Sequence, residues 1–103
     1  MSQHEYELTP EQAEEIVQLG EALKRLNENP DFKKVFLDGF FKDEAVRVVG
    51  LMGEPEFKNS DYILHRQIGI AQSQAYLREI ALRYHSVVTQ MNEQAELDEA
   101  EAE

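Results

Sequence analysis

The stretch DYILHRQIGIAQSQAYLREIALRYHSVVTQMN, residues 61–92, carries Ile63, Ile70, Leu77, Tyr84 and Met91 at intervals of seven, and no other part of the 103-residue chain is as regular. An apolar line of that period predicts one long helix, Asp61 to Asn92, built to meet a partner. A second line, Leu64, Ile68, Ala71 and Ala75, lies about 100° around the same helix. A helix with two apolar faces has to be covered twice. At about 1.5 Å per residue it spans about 45 Å, more than a compact domain of this size needs, so its C-terminal part is expected to protrude or pair.

Upstream, the pattern stays helical. Thr9-Pro10-Glu11-Gln12 is a start signal: Thr9 caps exposed N–H groups, Pro10 suits the first position, and Gln12 completes a capping box. Ala13, Ile16, Val17, Leu19, Leu23 and Leu26 then recur at spacings of two to four, mainly three and four, which predicts a helix from Pro10 to Leu26. Asn29-Pro30-Asp31 repeats the signal and opens a helix from Pro30 to Asp38, with Phe32, Val35, Phe36 and Phe40 on its inner face. Gly39 either closes this helix in a left-handed cap or is carried inside a longer one at about 1 kcal/mol of propensity. Asp43, placed as a fresh N-cap, favours a break or kink near Asp38 to Phe41. A third helix, Asp43 to Met52, follows. Its valines would suit a strand, but no other segment offers that strand a partner. Gly53-Glu54-Pro55 ends it, and Asn59 or Ser60 caps the long helix. The expected architecture is all-α: three short helices against one long C-terminal helix, with residues 1–92 forming a single domain. Residues 1–8 are expected to be loosely held, and residues 93–103 to form a mobile acidic tail.

Acidic residues outnumber basic ones 21 to 10, and six acids with no base fall in residues 93–103. Direct nucleic-acid binding, which needs a concentrated cationic surface, is not expected. The tail has two readings. It is a solvated extension, or it docks on a basic surface in imitation of nucleic acid, with Glu11, Glu14, Glu15, Glu96, Asp98 and Glu99 as the active groups. The absence of cysteine excludes disulfides, thiolate metal sites and cysteine nucleophiles. No apolar run nears 18 residues, and the start MSQHEYELT has neither a basic n-region nor an apolar h-region. A soluble cytoplasmic protein with no membrane partner is expected.

No motif names a reaction. His4 lies in the loose start, and His65 and His85 are about 30 Å apart on one helix, so they cannot share a metal within one chain. Carboxylate pairs such as Glu14 with Glu15, Asp43 with Glu44 and Glu54 with Glu56 sit in surface-like contexts. Ser60, Ser73 and Ser86 lack a nucleophile elbow. No enzyme, metal or cofactor is expected. Phe32, Phe36, Phe40 and Phe41 crowd into ten residues as a core plug. Phe40 and Phe41 are adjacent, so they cannot both point inward from one helix. The Tyr/Arg composition of the long helix suits a protein-binding surface. The candidate interface is Ile63, Ile70, Leu77, Ile80, Tyr84, Val88 and Met91, with Phe41, and the expected partner is a protein, first of all another copy of the chain.

The stretch Leu23 to Val49, with Leu26, the turn Asn29-Pro30-Asp31-Phe32-Lys33-Lys34, Gly39-Phe40-Phe41 and Glu44-Ala45-Val46-Arg47, resembles small acidic helical proteins encoded by tailed bacteriophages. The resemblance covers about a quarter of the chain and includes no catalytic signature. It implies an accessory or virion-assembly protein, acting in the host cytoplasm or in the particle.

Overall fold

The structure is a computed structural model that describes residues 8–102; residues 1–7, where a loosely held start was expected, His4 included, and Glu103 lie outside them. Among the described residues every regular element is helical. Helix α1 is Pro10–Glu28, and it opens on the expected capping box: Gln12 N donates to Thr9 Oγ1 at 3.1 Å, and Thr9 N donates to Gln12 Oε1 at 2.9 Å. Asn29 then caps the next helix, its Oδ1 accepting from Asp31 N at 2.8 Å and Phe32 N at 3.1 Å.

From residue 30 to residue 50 the helix does not break. It begins as α2, Pro30–Phe32, widens into a π-helix over Lys33–Asp43, and returns to α geometry in α3, Glu44–Gly50. The expected break near Asp38 to Phe41 is therefore corrected. Asp43 has helical φ and ψ of −64° and −43° and caps nothing with its side chain, because the chain is already helical when it arrives there. Two short 3-10 turns, Leu51–Gly53 and Pro55–Phe57, lead to α4, Tyr62–Ala102, with Ser60 Oγ accepting from Tyr62 N at 3.1 Å. The three rods of the fold are thus α1, the 30–50 stretch and α4.

α4 runs ten residues past its expected end at Asn92, so the described part of the acidic segment is helical. The reason is local. From Glu93 on, the sequence is Glu, Gln, Ala, Leu and Asp without Gly or Pro, and Gln94 Nε2 donates to Asp98 Oδ1 one turn on at 3.0 Å.

Contacts group the residues into two compact units. One joins the first part of α1, to Leu23, with α4 from Glu79 onward. Leu23, Ile80 and Val87 are its buried apolar residues. Gly20 is buried there against Tyr84, so close that a Cβ on Gly20 would overlap the Tyr84 Cβ, Cγ and Cδ2 atoms. The other unit is Lys24–Arg78, in which Val48, Ile63 and Ile70 are buried.

A glycine held against the base of a tyrosine cannot be enlarged cheaply, since the Cβ of Tyr84 is fixed by its backbone and no rotamer moves it. Gly20→Ala should destabilise the fold by about 1–3 kcal/mol, the usual cost of overpacking, although Ala is the better helix former. Urea unfolding of Gly20→Ala, alone and combined with Tyr84→Ala, checks this: the second change should recover part of the loss caused by the first.

Candidate interaction surface

The π-helix decides which phenylalanines share a face. An α-helical turn would align Phe32, Phe36 and Phe40, but an i→i+5 turn holds between four and five residues, so Phe41 follows Phe36 on the same side. Phe32 and Phe36 stack at 5.3 Å between centroids, and Phe36 meets Phe41 at 6.4 Å. Phe40 stays in the cluster, 6.1 Å from Phe36 and 5.6 Å from Phe41, but does not line the groove and carries the Arg66 guanidinium 5.1 Å from its ring centroid. The expected inner face of this stretch is corrected accordingly: Val35 and Phe36 are exposed, while Phe40 and Phe41 are both half-buried.

Gly39 sits in the middle of the π-helix. A Cβ there would stand 2.8 Å from the carbonyl oxygen of Lys34, the backbone group one wide turn earlier, which is closer than a Cβ comes in real structures. Glycine at this position therefore lets the wide turn close.

Glu44, the first residue after the π-helix, is the hub of a polar cluster. Its carboxylate accepts from Arg47 Nε at 2.7 Å, Arg47 Nη2 at 2.9 Å and Arg66 Nε at 2.9 Å, and Arg47 Nη2 also donates to the Tyr62 hydroxyl at 3.2 Å. The hydrogen bond from Arg47, then that from Arg66, holds the Glu44 carboxyl down at about 2 from its ordinary 4.5. The hydrogen bond to Glu44, then that to the Tyr62 hydroxyl, pushes Arg47 up. This cluster ties α3 to the first turns of α4 and fixes Arg66 over Phe40. It offers no open polar group around which to build chemistry.

Beside it, Phe32, Phe36 and Phe41, together with Gly69, Gln72, Ser73, Tyr76 and Leu77 of α4, line an open groove of about 530 Å³. Ser73 Oγ donates to the Gly69 carbonyl at 2.8 Å, so that hydroxyl is already satisfied. Gly69 is the unusual member. Glycine inside a helix is less favourable than alanine by about 1 kcal/mol, and beyond its chain neighbours and the nearby backbone of its own helix nothing lies within 4 Å of where its Cβ would stand. Gly20 makes room for Tyr84; Gly69 makes room for nothing within the chain.

The two apolar lines of α4 divide between inside and outside. Ile63, Ile70 and Ile80, expected at an interface, are only 8%, 4% and 8% exposed, and Leu77, Tyr84 and Val88 are half-buried. The first three are taken up by the chain's own packing, and Tyr84 packs on Gly20. Met91 remains exposed, and Leu77 and Phe41 reach the groove. The second line stands outside: Leu64 is 56% exposed, Ile68 42%, Ala71 is exposed and Ala75 half-buried. Glu11, Glu14, Glu15, Glu96, Asp98 and Glu99 are all exposed. Among the described residues no group of three His, Asp or Glu is placed to hold a metal ion, and no helix is long and apolar enough to cross a membrane.

Charge is divided just as sharply. Residues 24–78 hold nine of the ten Lys and Arg against eight acids, a formal charge of +1, while the rest of the chain holds one base against thirteen acids, a charge of −12.

Two outcomes follow from this geometry. In an α-helix Gly39→Ala would raise stability by about 1 kcal/mol; here the Lys34 carbonyl stands in the way, and the substitution should lower the thermal midpoint instead. A higher midpoint would mean that the wide turn does not need its glycine. For Glu44, the folded carboxyl titrates below the unfolded one, so its stabilising effect is complete above about 4.5 and disappears as pH falls toward about 2. The stability difference between the parent and Glu44→Gln, measured by urea unfolding, should therefore shrink across that window and be flat from pH 5 to 7.

Compared with protein-family models, curated proteins and solved structures, the chain matches none.

Proposed function

We propose that this chain is a non-enzymatic protein-binding and assembly protein that acts through α4, first of all on further copies of itself. The observation that carries this reading is the row Leu64, Ile68, Ala71 and Ala75, exposed in its first three members and half-buried at Ala75, spaced four, three and four residues apart on one helix. That spacing is the seam of a coiled coil, and small alanines let a second helix approach closely. Burying one Leu or Ile side chain is worth roughly 1.5–3 kcal/mol, so the row is a substantial source of association energy. The resemblance of residues 23–49 to phage helical proteins supports an accessory or virion-assembly role, in the host cytoplasm or in the particle. The rival reading, an acidic mimic of nucleic acid acting on a host protein, has in its favour the −12 charge outside residues 24–78.

Sedimentation equilibrium separates them. The parent should be an oligomer at micromolar concentration, and Leu64→Glu with Ile68→Glu should reduce it to a monomer while its circular dichroism stays helical. A monomeric parent would remove the support for assembly through this row and leave the mimic reading ahead.

A further inference from the structure

We infer that the aromatic groove of residues 24–78 receives the last turns of α4 from a second copy of the chain, with Leu97 as the side chain that enters it. This deepens the assembly reading and rests on it. Three observations point to the same occupant. First, Gly69 lines the groove with Ser73, and beyond its chain neighbours and the nearby backbone of its own helix nothing lies within 4 Å of where its Cβ would stand. A helix that carries glycine where its own fold leaves open space is shaped for the approach of another molecule.

Second, basic residues adjoin the groove's lining residues in the sequence. On α4, the residues from Tyr62 to Arg78 include no acid, and Arg78 follows the lining residue Leu77, while Arg66 is already paired with Glu44. On the opposite wall, Lys33 and Lys34 adjoin Phe32 in sequence, and among the described residues neither they nor Arg78 takes part in an ion pair. An apolar slot with cationic borders selects a segment that is apolar at its centre and acidic around it. The chain contains such a segment: Leu97, 59% exposed, stands among Glu93, Glu96, Asp98, Glu99 and Glu101.

Third, that segment is an uneasy helix by itself. Its acids gather at the C-terminal end of α4, where the helix dipole is negative, and no base stands in the last turn. A cationic neighbour relieves this repulsion. The neighbour we assign is residues 24–78 of a second copy, which carry nine of the ten bases. Antiparallel pairing brings the acidic end of one α4 to the basic half of the other, and two such contacts close a symmetric dimer.

The test uses the full chain carrying Leu97→Glu as receptor, which keeps the groove and disables its own anchor, and a fluorescent peptide of residues 90–103 as probe. Binding measured by anisotropy should saturate, weaken steeply with added salt, and fall at least tenfold when the receptor also carries Gly69→Leu or when the peptide carries Leu97→Glu. Gly69→Leu places an apolar side chain in the groove from a position where a Cβ has open space. Should it fail to fold, Tyr76→Glu on the exposed wall serves in its place. Equal binding by the Gly69→Leu receptor, equal binding of a scrambled peptide of the same charge, or no binding at all overturns the proposal. Adding Leu64→Glu and Ile68→Glu to the receptor separates this proposal from the wider one. Peptide binding that survives them supports the groove even if the exposed row proves idle. A parent oligomer that dissociates with them while the peptide never binds sinks the groove and leaves assembly through the row standing.

Discussion

A helix can turn only one side toward its own fold, and α4 is apolar on two. The line that includes Ile63 and Ile70, joined by Ile80 and Val87, supplies the buried residues of this helix, while Leu64, Ile68 and Ala71 remain in water. The inward line carries bulky side chains throughout and the outward line ends in alanines. Covering the bulkier line removes more apolar area from water, and that difference sets the rotation of the helix about its axis. The accessibility of the other residues on α4 follows from this rotation.

The second determinant is the width of the helical turn between residues 33 and 43. A π-helix this long is unusual, because wide turns mostly occur singly and often mark functional places. Here the wide turn aligns Phe32, Phe36 and Phe41 along one groove and diverts Phe40 to Arg66. Glu44 then holds Arg66 and Arg47 together at the point where the α geometry resumes. The groove, the cation–π contact and the ion cluster are consequences of one change in backbone period, and glycine at position 39 permits that change.

Charge supplies direction where apolar area supplies attraction. With +1 in residues 24–78 and −12 elsewhere, two copies placed side by side in the same orientation repel most strongly where their acidic portions coincide. Opposed copies avoid this. The acidic end of α4 also stands at the wrong pole of its own helix dipole, so that end gains most from a cationic neighbour.

The sequence by itself determined the helical class, the starts of all three rods and the existence of two apolar lines on the last one. Those features depend on local chemistry: the Thr9–Gln12 box, the Asn29 cap, Pro10 and Pro30 at first positions, and a periodicity that repeats within a few turns. It misjudged Gly39 because a glycine in a helical pattern signals a break, a cap or a close approach alike, and a wide turn leaves no mark in an α-helical count. It also placed the end of the last helix ten residues too early, because like charges suggested a tail and the helix-forming residues of 93–102 continue the helix. Only the tertiary structure decided which line of α4 faces inward, that Gly20 exists for Tyr84, and that Phe41 rather than Phe40 lines the groove. Each of those depends on what lies across from a residue in space, and spacing along the chain carries no record of that.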